Sequence, residues 1–348
     1  MPDSSAVPAV STADDIRALL DDLPGPDLDA AAAVRERDAR LTKPPGSLGR
    51  VEDVVEWLAA WQRRPRPRLE TPRMCVFAGS HGVVEQGVSA FPAEVTGQMI
   101  ANFRAGGAAI NQICRTHGID LEVVDLGWER PTQDLTMQPA MDEAEFVEAF
   151  AAGMRAVPPG TDLLAIGEMG IGNTTSAAAI YAGLWGGAAE HWVGRGTGVD
   201  DEGLARKAAA VSAGLTRHAD GLDDPLAVLA RLGGREIAAM AGAILAARLL
   251  GVPVVLDGYV TTAAAAVLFA QEPTTLDHCL AGHVSTEGAH ADVLARLGLA
   301  PLLDLGLHLG EGSGAGLAVG VLSAAVAVHD GMATFDEAGV ADGGPAGG

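Results

Sequence analysis

The sequence predicts an α/β fold: a mostly parallel sheet with helices on both faces, joined to a small helical domain. Three observations predict it. Short β-branched runs alternate with alanine-rich stretches through most of the chain, the order that right-handed βαβ crossovers require. The head of the chain instead carries helical periodicity with no strand between its segments. The composition, with 45 glycines and only 4% aromatic residues, suits close helix–sheet packing and many tight βα turns.

Taken in order, residues 1–12 are small and polar and are expected to be a loose end, as is the closing "ADGGPAGG". "DDIRALLDDL" and "VEDVVEWLAAWQRR" read as helices, and the proline-rich "RRPRPRLETP" (63–72) ends the second of them. A small helical domain is therefore expected over residues 1–65, completed by a C-terminal helix at about 314–335 and followed by a flexible tail over 336–348. The α/β domain is expected over 72–313. Its strand candidates are "MCVFAG" (74–79), "LEVVDLG" (121–127), "DLLAIGEMG" (162–170), "HWVGRG" (191–196) and "VPVVLDGYV" (252–260), each followed by a helical stretch. Such a succession gives a Rossmann-like sheet. The most membrane-like stretch, Ile237 to Leu256, is interrupted by Arg248, Gly251 and Pro253, and reads as a buried helix followed by a buried strand.

Bulk properties exclude several classes of function. A formal charge of −22 opposes nucleic-acid binding, which needs a basic face to displace counterions. The three cysteines, Cys75, Cys114 and Cys279, are widely spaced and form no CxxC pair, so neither a disulfide framework nor a zinc ribbon is expected. The first residues lack a basic segment followed by an apolar core, so no secretory signal is read there and a cytoplasmic location is expected.

In parallel sheets, ligands gather at the carboxyl ends of the strands. Five strand-end segments here set glycine beside a polar residue: "AGSHG", "GEMGIGNTT", "GRGTG", "LDGYVTT" and "HLGEGSG". One such loop means little, since glycine often only makes a turn; five point to a shared cleft. In "GEMGIGNTT" (167–175), an Asn or Thr cap on the following helix would create an anion site. The spacing of Gly167 and Gly172 matches a phosphate loop, but Asn173 stands where its lysine belongs. Glu168 beside a phosphate nest would repel it, so this carboxyl is expected to face a hydrogen-bond donor on a substrate.

"VVLDGYVTTA" (254–263) is similar to the motif that binds phosphoribosyl pyrophosphate, yet only one acid, Asp257, ends the strand. A single acid suits a ribose diol plus magnesium–pyrophosphate poorly. "GEGSGAG" fits a loose dinucleotide fingerprint but lies near the C-terminus, not in the first βαβ unit. The histidines are dispersed, His283 and His290 fall outside the i,i+4 spacing of a helical zinc motif, and no metal site is expected. His81 in "AGSHG" is as compatible with a structural hydrogen bond as with a ligand contact.

Together and in this order the loops resemble the nicotinate-nucleotide–dimethylbenzimidazole phosphoribosyltransferase family. The matching stretches are "LTKPPGSLGRVE" (41–52), "FAGSHGVVEQGVSAFPAEVT" (77–96), "GGAAIN" (106–111), "GEMGIGNTTSAAAI" (167–180), "VGRGTGVDDEGLARK" (193–207), "PVVLDGYVTTAAA" (253–265) and "LGLHLGEGSGAGLA" (305–318). The resemblance implies transfer of 5-phosphoribosyl from nicotinate mononucleotide to a benzimidazole, with small-molecule substrates, no cofactor, and a homodimeric enzyme. That reaction suits the missing second acid, because a pyridinium nitrogen departs neutral and no pyrophosphate is released.

The resemblance assigns the general base to Glu311 and an assisting role to Glu168. It places Lys207 near the nucleotide. It sets Gly170, Gly172, Asn173, Thr174 and Thr175, with Gly194, Gly196, Gly312, Ser313 and Gly314, around the nucleotide and its phosphate. Asp257, Ser285, Met169 and Leu309 are further substrate-binding positions, and Phe91 and Met99 form an apolar edge of the base pocket that favours methylated benzimidazoles over purines. Ser80 stands where many members have aspartate, and "STEGAH" (285–290) departs from the commoner Ser-Ala-Glu-Pro form. The alternatives are a relative that activates adenine or a phenol, and a nucleotide sensor on the same fold.

Overall fold

The structure is a computed structural model that describes residues 7–341. Three helices come first. α1 (Ala13–Leu20) opens with a capping box between Thr12 and Asp15. α2 (Leu28–Asp38) is capped by Asp27, whose carboxylate accepts from the N–H groups of Asp29 and Ala30. α3 (Arg50–Gln62) ends at Arg63 in the left-handed conformation. The chain then alternates: β1 (Pro72–Ala78), α4 (Val95–Ala105), α5 (Ala109–His117), β2 (Asp120–Asp125), α6 (Glu143–Arg155) and β3 (Leu163–Met169). Five helices follow, α7 (Asn173–Trp185), α8 (Ala189–Trp192), α9 (Asp201–Arg217), α10 (Pro225–Leu232) and α11 (Arg235–Leu250). Last come β4 (Val254–Leu256), α12 (Tyr259–Gln271), β5 (Cys279–Ala281), α13 (His290–Arg296), α14 (Ser313–Gly331) and α15 (Phe335–Ala338).

The five strands form one sheet, ordered β2-β1-β3-β4-β5, and every neighbouring pair is parallel. Alternate side chains of each central strand enter opposite layers, as the two-residue strand period dictates. Cys75, Phe77, Leu164, Ile166, Val254 and Leu256 join the layer of α6, α7, α10, α11 and α12. Met74, Val76, Leu163, Ala165 and Val255 join the layer of α3, α5 and α14. Both faces are thus covered, which is why these strands read as continuous apolar runs. α6 and α11 pack closely because Gly153 and Gly242 lack side chains: a Cβ on either would collide with the carbonyl of Ala239 or Phe150.

Several expectations are corrected. Residues 191–196 are no strand. Trp192 closes the short helix α8, its indole donating to the carbonyl of Gly186 at 2.8 Å and stacking on Tyr181, which holds the segment in a turn. The expected strand over 252–260 shortens to Val254–Leu256, because α12 begins at Tyr259. β5 is too short to stand out in the sequence. Ile16 and Leu20 of α1 pack in the α6/α10 layer, away from α2 and α3, whose Val34, Val54 and Leu58 pack with α14. Val10, in the segment expected to be loose, is buried, and Phe335–Ala338 in the expected tail form a capped helical turn. Residues 1–6 and 342–348 of those two segments lie outside the described residues. The stretch 237–256 is a buried helix and strand, as read. α14 is the one helix among the described residues long and apolar enough to cross a membrane; its contacts with α3, α5 and β3 mark it as a core helix.

Candidate active site

β3 ends in Glu168 and Met169, and the chain turns through Gly170–Gly172 into α7. The cap of α7 is Gly172 itself, with φ 95° and no side-chain cap bond, so the expected Asn or Thr cap is corrected. Asn173 is free to do something else: its amide donates to Glu168 Oε2 in a short hydrogen bond. The Thr174 hydroxyl receives the Lys207 ammonium at 2.9 Å. Thr175 is wholly buried and its hydroxyl has no partner.

Lys207, on α9, is 1% exposed and also donates to the carbonyl of Gly194 at 2.6 Å. Burial pulls its ammonium below the ordinary lysine range, partly offset by the Glu287 carboxylate 3.8 Å away. Glu287 in turn accepts the Gly196 N–H at 3.0 Å. Gly194 has no room for a side chain, since a Cβ would run into the Glu287 carboxylate. This acid was not singled out in the sequence, although it stands at the glutamate of the Ser-Ala-Glu-Pro form from which "STEGAH" otherwise departs. Ser285 sits beside it, its hydroxyl accepting the Glu287 N–H at 3.2 Å and its own N–H donating to His290 Nδ1 at 2.8 Å.

Asp257, expected to touch substrate, is fully buried. Its carboxylate accepts three backbone N–H groups at the start of α14: Gly312 at 3.1 Å, Gly314 at 2.8 Å and Ala315 at 2.9 Å. The Gly312 and Gly314 amides, expected to face a phosphate, are therefore taken by a protein carboxylate. Ser313 is also buried, its hydroxyl unpartnered. A lone acid after β4 thus has a task unrelated to a ribose diol: it ties a helix N-terminus to the sheet, where the helix dipole favours a negative charge.

That tie fixes Glu311. It has φ 64°, a left-handed conformation rare for a residue with a side chain, between Gly310 at φ 79° and Gly312 at φ 83°. Gly167 of β3 makes room for the turn, since a Cβ there would lie 2.6 Å from the Glu311 carbonyl carbon. The Glu311 side chain is 7% exposed and its Oε2 has no partner. Burial, then the Asp257 charge, pushes its carboxyl up to about 7. Glu168 is pushed up to about 8 by burial and by the charges of Asp257, Glu236 and Glu311, against the opposing Asn173 hydrogen bond. The two glutamates adjoin across Gly310, whose Cβ, if present, would stand 2.5 Å from Glu168 Oε1.

The loops enclose a cleft of about 90 Å³, walled by Glu168, Met169, Thr174, Ser285, Glu287 and Leu309. Gly170, Gly196, Tyr259, His283, His308 and Gly310 also line it, the histidines and the tyrosine being absent from the sequence-derived set. Glu311 is not on its wall but one residue behind Gly310. An apolar groove of about 860 Å³ continues from it past Phe91, Leu204, Leu307 and Leu309. Phe91 lines this groove. Met99 does not: it packs against the core layer that holds Phe103 and Ile110. Among the described residues no cluster of His, Cys, Asp or Glu is arranged to hold a metal ion. A separate surface cleft of about 640 Å³ beside α1, α6 and α10 contains the Arg17–Asp224 pair and none of these loops.

Comparison with known proteins agrees with this arrangement. A family model described as "Phosphoribosyltransferase" matches residues 23–340. Nicotinate-nucleotide–dimethylbenzimidazole phosphoribosyltransferase of Sinorhizobium medicae (strain WSM419) is 60% identical over 94% of this chain and 97% of its own. The protein of that name from Methylocella silvestris is 60% identical over 94% and 96%. The crystal structure of CobT from Thermus thermophilus superposes with a TM-score of 0.85 at 46% identity, covering 90% of this chain and 100% of that one. With identity of this degree along nearly the whole chain, and the glycine loops meeting at one cleft, the chain belongs to the nicotinate-nucleotide–dimethylbenzimidazole phosphoribosyltransferase family.

Proposed function

We propose that the protein transfers 5-phosphoribosyl from nicotinate mononucleotide to 5,6-dimethylbenzimidazole or a related base, releasing nicotinate and forming α-ribazole 5′-phosphate for the nucleotide loop of cobalamin. The observation that carries this reading is the pair of glutamates, half-buried Glu168 and buried Glu311, set among glycine loops beside an apolar groove. The C1′–N bond to the pyridinium breaks as an azole nitrogen bonds to C1′, and the bonding pair stays on nicotinate, which leaves neutral at nitrogen. The azole gives up the N–H proton of its other nitrogen to a carboxylate.

We assign the base to Glu311, whose Oε2 is unpartnered and whose carboxyl is pushed up to about 7, and a donor's role to Glu168, pushed up to about 8, in place of the acceptor's role read from the sequence. Because the groups interact, the rate profile reports apparent values of the pair. Gly310, lacking a side chain, is all that separates Glu311 from the cleft in the chain, and we assign the azole to that opening. Lys207 braces Thr174 and Gly194, behind the loops assigned to the nucleotide. The positive charge that grows on the base in the transition state is stabilised by ionised Glu311. We further propose that the enzyme works as a cytoplasmic homodimer, with α2, α3 and α14 as its small helical unit.

The test is a panel of bases supplied with nicotinate mononucleotide. Turnover of benzimidazoles is expected; turnover of adenine or phenols but not benzimidazoles rejects the substrate assignment. Mononucleotide binding with no nicotinate release for any base favours a sensor.

A further inference from the structure

Beneath the Gly170–Gly172 turn lies a buried polar triad that the transfer chemistry does not use. His81, just after β1, places Nε2 2.5 Å from Glu236 Oε1 and Nδ1 3.0 Å from the Ser176 hydroxyl. The His81 and Glu236 side chains are wholly buried, and Ser176 is 1% exposed. Glu236 Oε2 has no hydrogen-bond partner. Nε2 and Glu236 Oε1 share one hydrogen bond, and Nδ1 and the Ser176 hydroxyl share the other. Three separate segments are joined: the end of β1, the first turns of α7, and the first turn of α11.

Glycine surrounds the pair. A Cβ on Gly170 would stand 2.6 Å from the Gly79 carbonyl, 3.2 Å from Glu236 Oε1 and 3.3 Å from His81 Nε2. One on Gly79 or on Gly234 would stand 2.8 Å from Glu236 Oε2. The cleft wall therefore rests directly on a histidine–carboxylate bond, where a fully apolar filling would have avoided the desolvation of a charge.

We propose that His81 and Glu236 are a positioning pair for the phosphoribosyl transfer, holding the Gly170–Thr174 wall so that Glu168 and Thr174 face the cleft. This rests on the reading of the cleft given above. The wall carries both contacts that matter there, Asn173 to Glu168 and Thr174 to Lys207. The carboxylate of Glu236 also acts on Glu168 electrostatically, together with Asp257 after β4 and Glu311 before α14, while Asn173 on α7 opposes them. A simple structural tie would leave that proton unaffected.

The full-length protein carrying His81→Ala, His81→Gln or Glu236→Gln tests this, with steady-state kinetics against nicotinate mononucleotide and dimethylbenzimidazole from pH 5.5 to 9.5 and thermal unfolding in parallel. His81→Ala is expected to lower kcat/KM roughly tenfold or more, the size seen when a supporting hydrogen bond behind a site is removed. His81→Gln keeps a donor toward Glu236 and is expected to recover most of that loss. Glu236→Gln removes a negative neighbour, so Glu168 holds its proton less tightly and the loss of rate at high pH is expected to move to lower pH. If His81→Ala does not fold, His81→Gln and Glu236→Gln decide the matter. Folded variants with wild-type KM, kcat and pH limbs overturn the proposal, as do losses that follow the unfolded fraction alone. Absence of nicotinate release by the wild-type enzyme would instead overturn the reading of the cleft.

Discussion

Replacing Asp257 by asparagine tests how the Glu311 turn is held. The carboxylate accepts two N–H groups at Oδ1, from Gly314 and Ala315, and one at Oδ2, from Gly312. An asparagine has one acceptor oxygen. In its better orientation it keeps the two bonds at Oδ1 and turns its own N–H₂ toward Gly312, leaving that buried amide unpaired. The loss of such a bond is worth about 1–3 kcal/mol, partly offset because a charge no longer has to be buried. The His283 ring, whose Nε2 lies 3.5 Å from Oδ1, loses its anionic neighbour as well. Electrostatics adds a second effect: with the Asp257 charge gone, Glu311 ionises more readily and its value falls from about 7. Urea unfolding should show a stability loss of about 1–3 kcal/mol. The rate of α-ribazole phosphate formation should fall at every pH while its rising limb shifts to lower pH. An unchanged unfolding midpoint together with an unchanged rising limb would refute the view that Asp257 anchors and tunes the base.

Two further predictions concern the same wall. Gly310→Ala would place a methyl 2.5 Å from Glu168 Oε1 in a backbone with φ 79°; expression as a folded protein with at least a tenfold lower kcat/KM is expected, read by steady-state kinetics. Wild-type kinetics would mean that the two glutamates do not depend on that close approach. Glu168→Gln should change stability in a pH-dependent way. The wild-type carboxyl is pushed from 4.5 up to about 8, so the folded state binds the proton more tightly and stability drains away as pH rises between those values. Glutamine carries no such penalty, so its melting temperature should gain on that of the wild type from pH 5 to pH 9, and a constant gap would contradict the raised proton affinity.

The central strands were legible because both their faces are buried: "MCVFA" and "LLAI" are unbroken apolar runs with no other easy home. "HWVGRG" misled for the same reason, since Trp192 and Val193 are buried by α7 and α9 and by Tyr181 rather than by strand neighbours. β5 has only three residues, and its pairing partner is set by the tertiary fold. At the site, Glu168, Thr174, Lys207 and Ser285 were reachable from motif and resemblance. The direction in which Asp257 points was not: one-dimensional order cannot tell a carboxylate facing solvent at a strand end from one turned under a helix N-terminus. Glu287 lay in a segment noted only for its departure from a commoner form, and its tie to Gly196 crosses from one loop to another. Met99 was assigned to the base pocket by resemblance, yet from α4 it packs, half-buried, against the core layer that holds Phe103 and Ile110.

The measurement that bears most directly on the central claim is mass-spectrometric detection of α-ribazole 5′-phosphate from nicotinate mononucleotide and dimethylbenzimidazole, comparing wild type with Glu311→Gln. Product and nicotinate in equal amounts are expected from the wild type. Glu311→Gln is expected to lower kcat by about a hundredfold or more, with mononucleotide binding nearly unchanged, because the amide keeps the shape but takes no proton. Near-normal turnover by Glu311→Gln, with Glu168→Gln inactive, would contradict the assignment of the base.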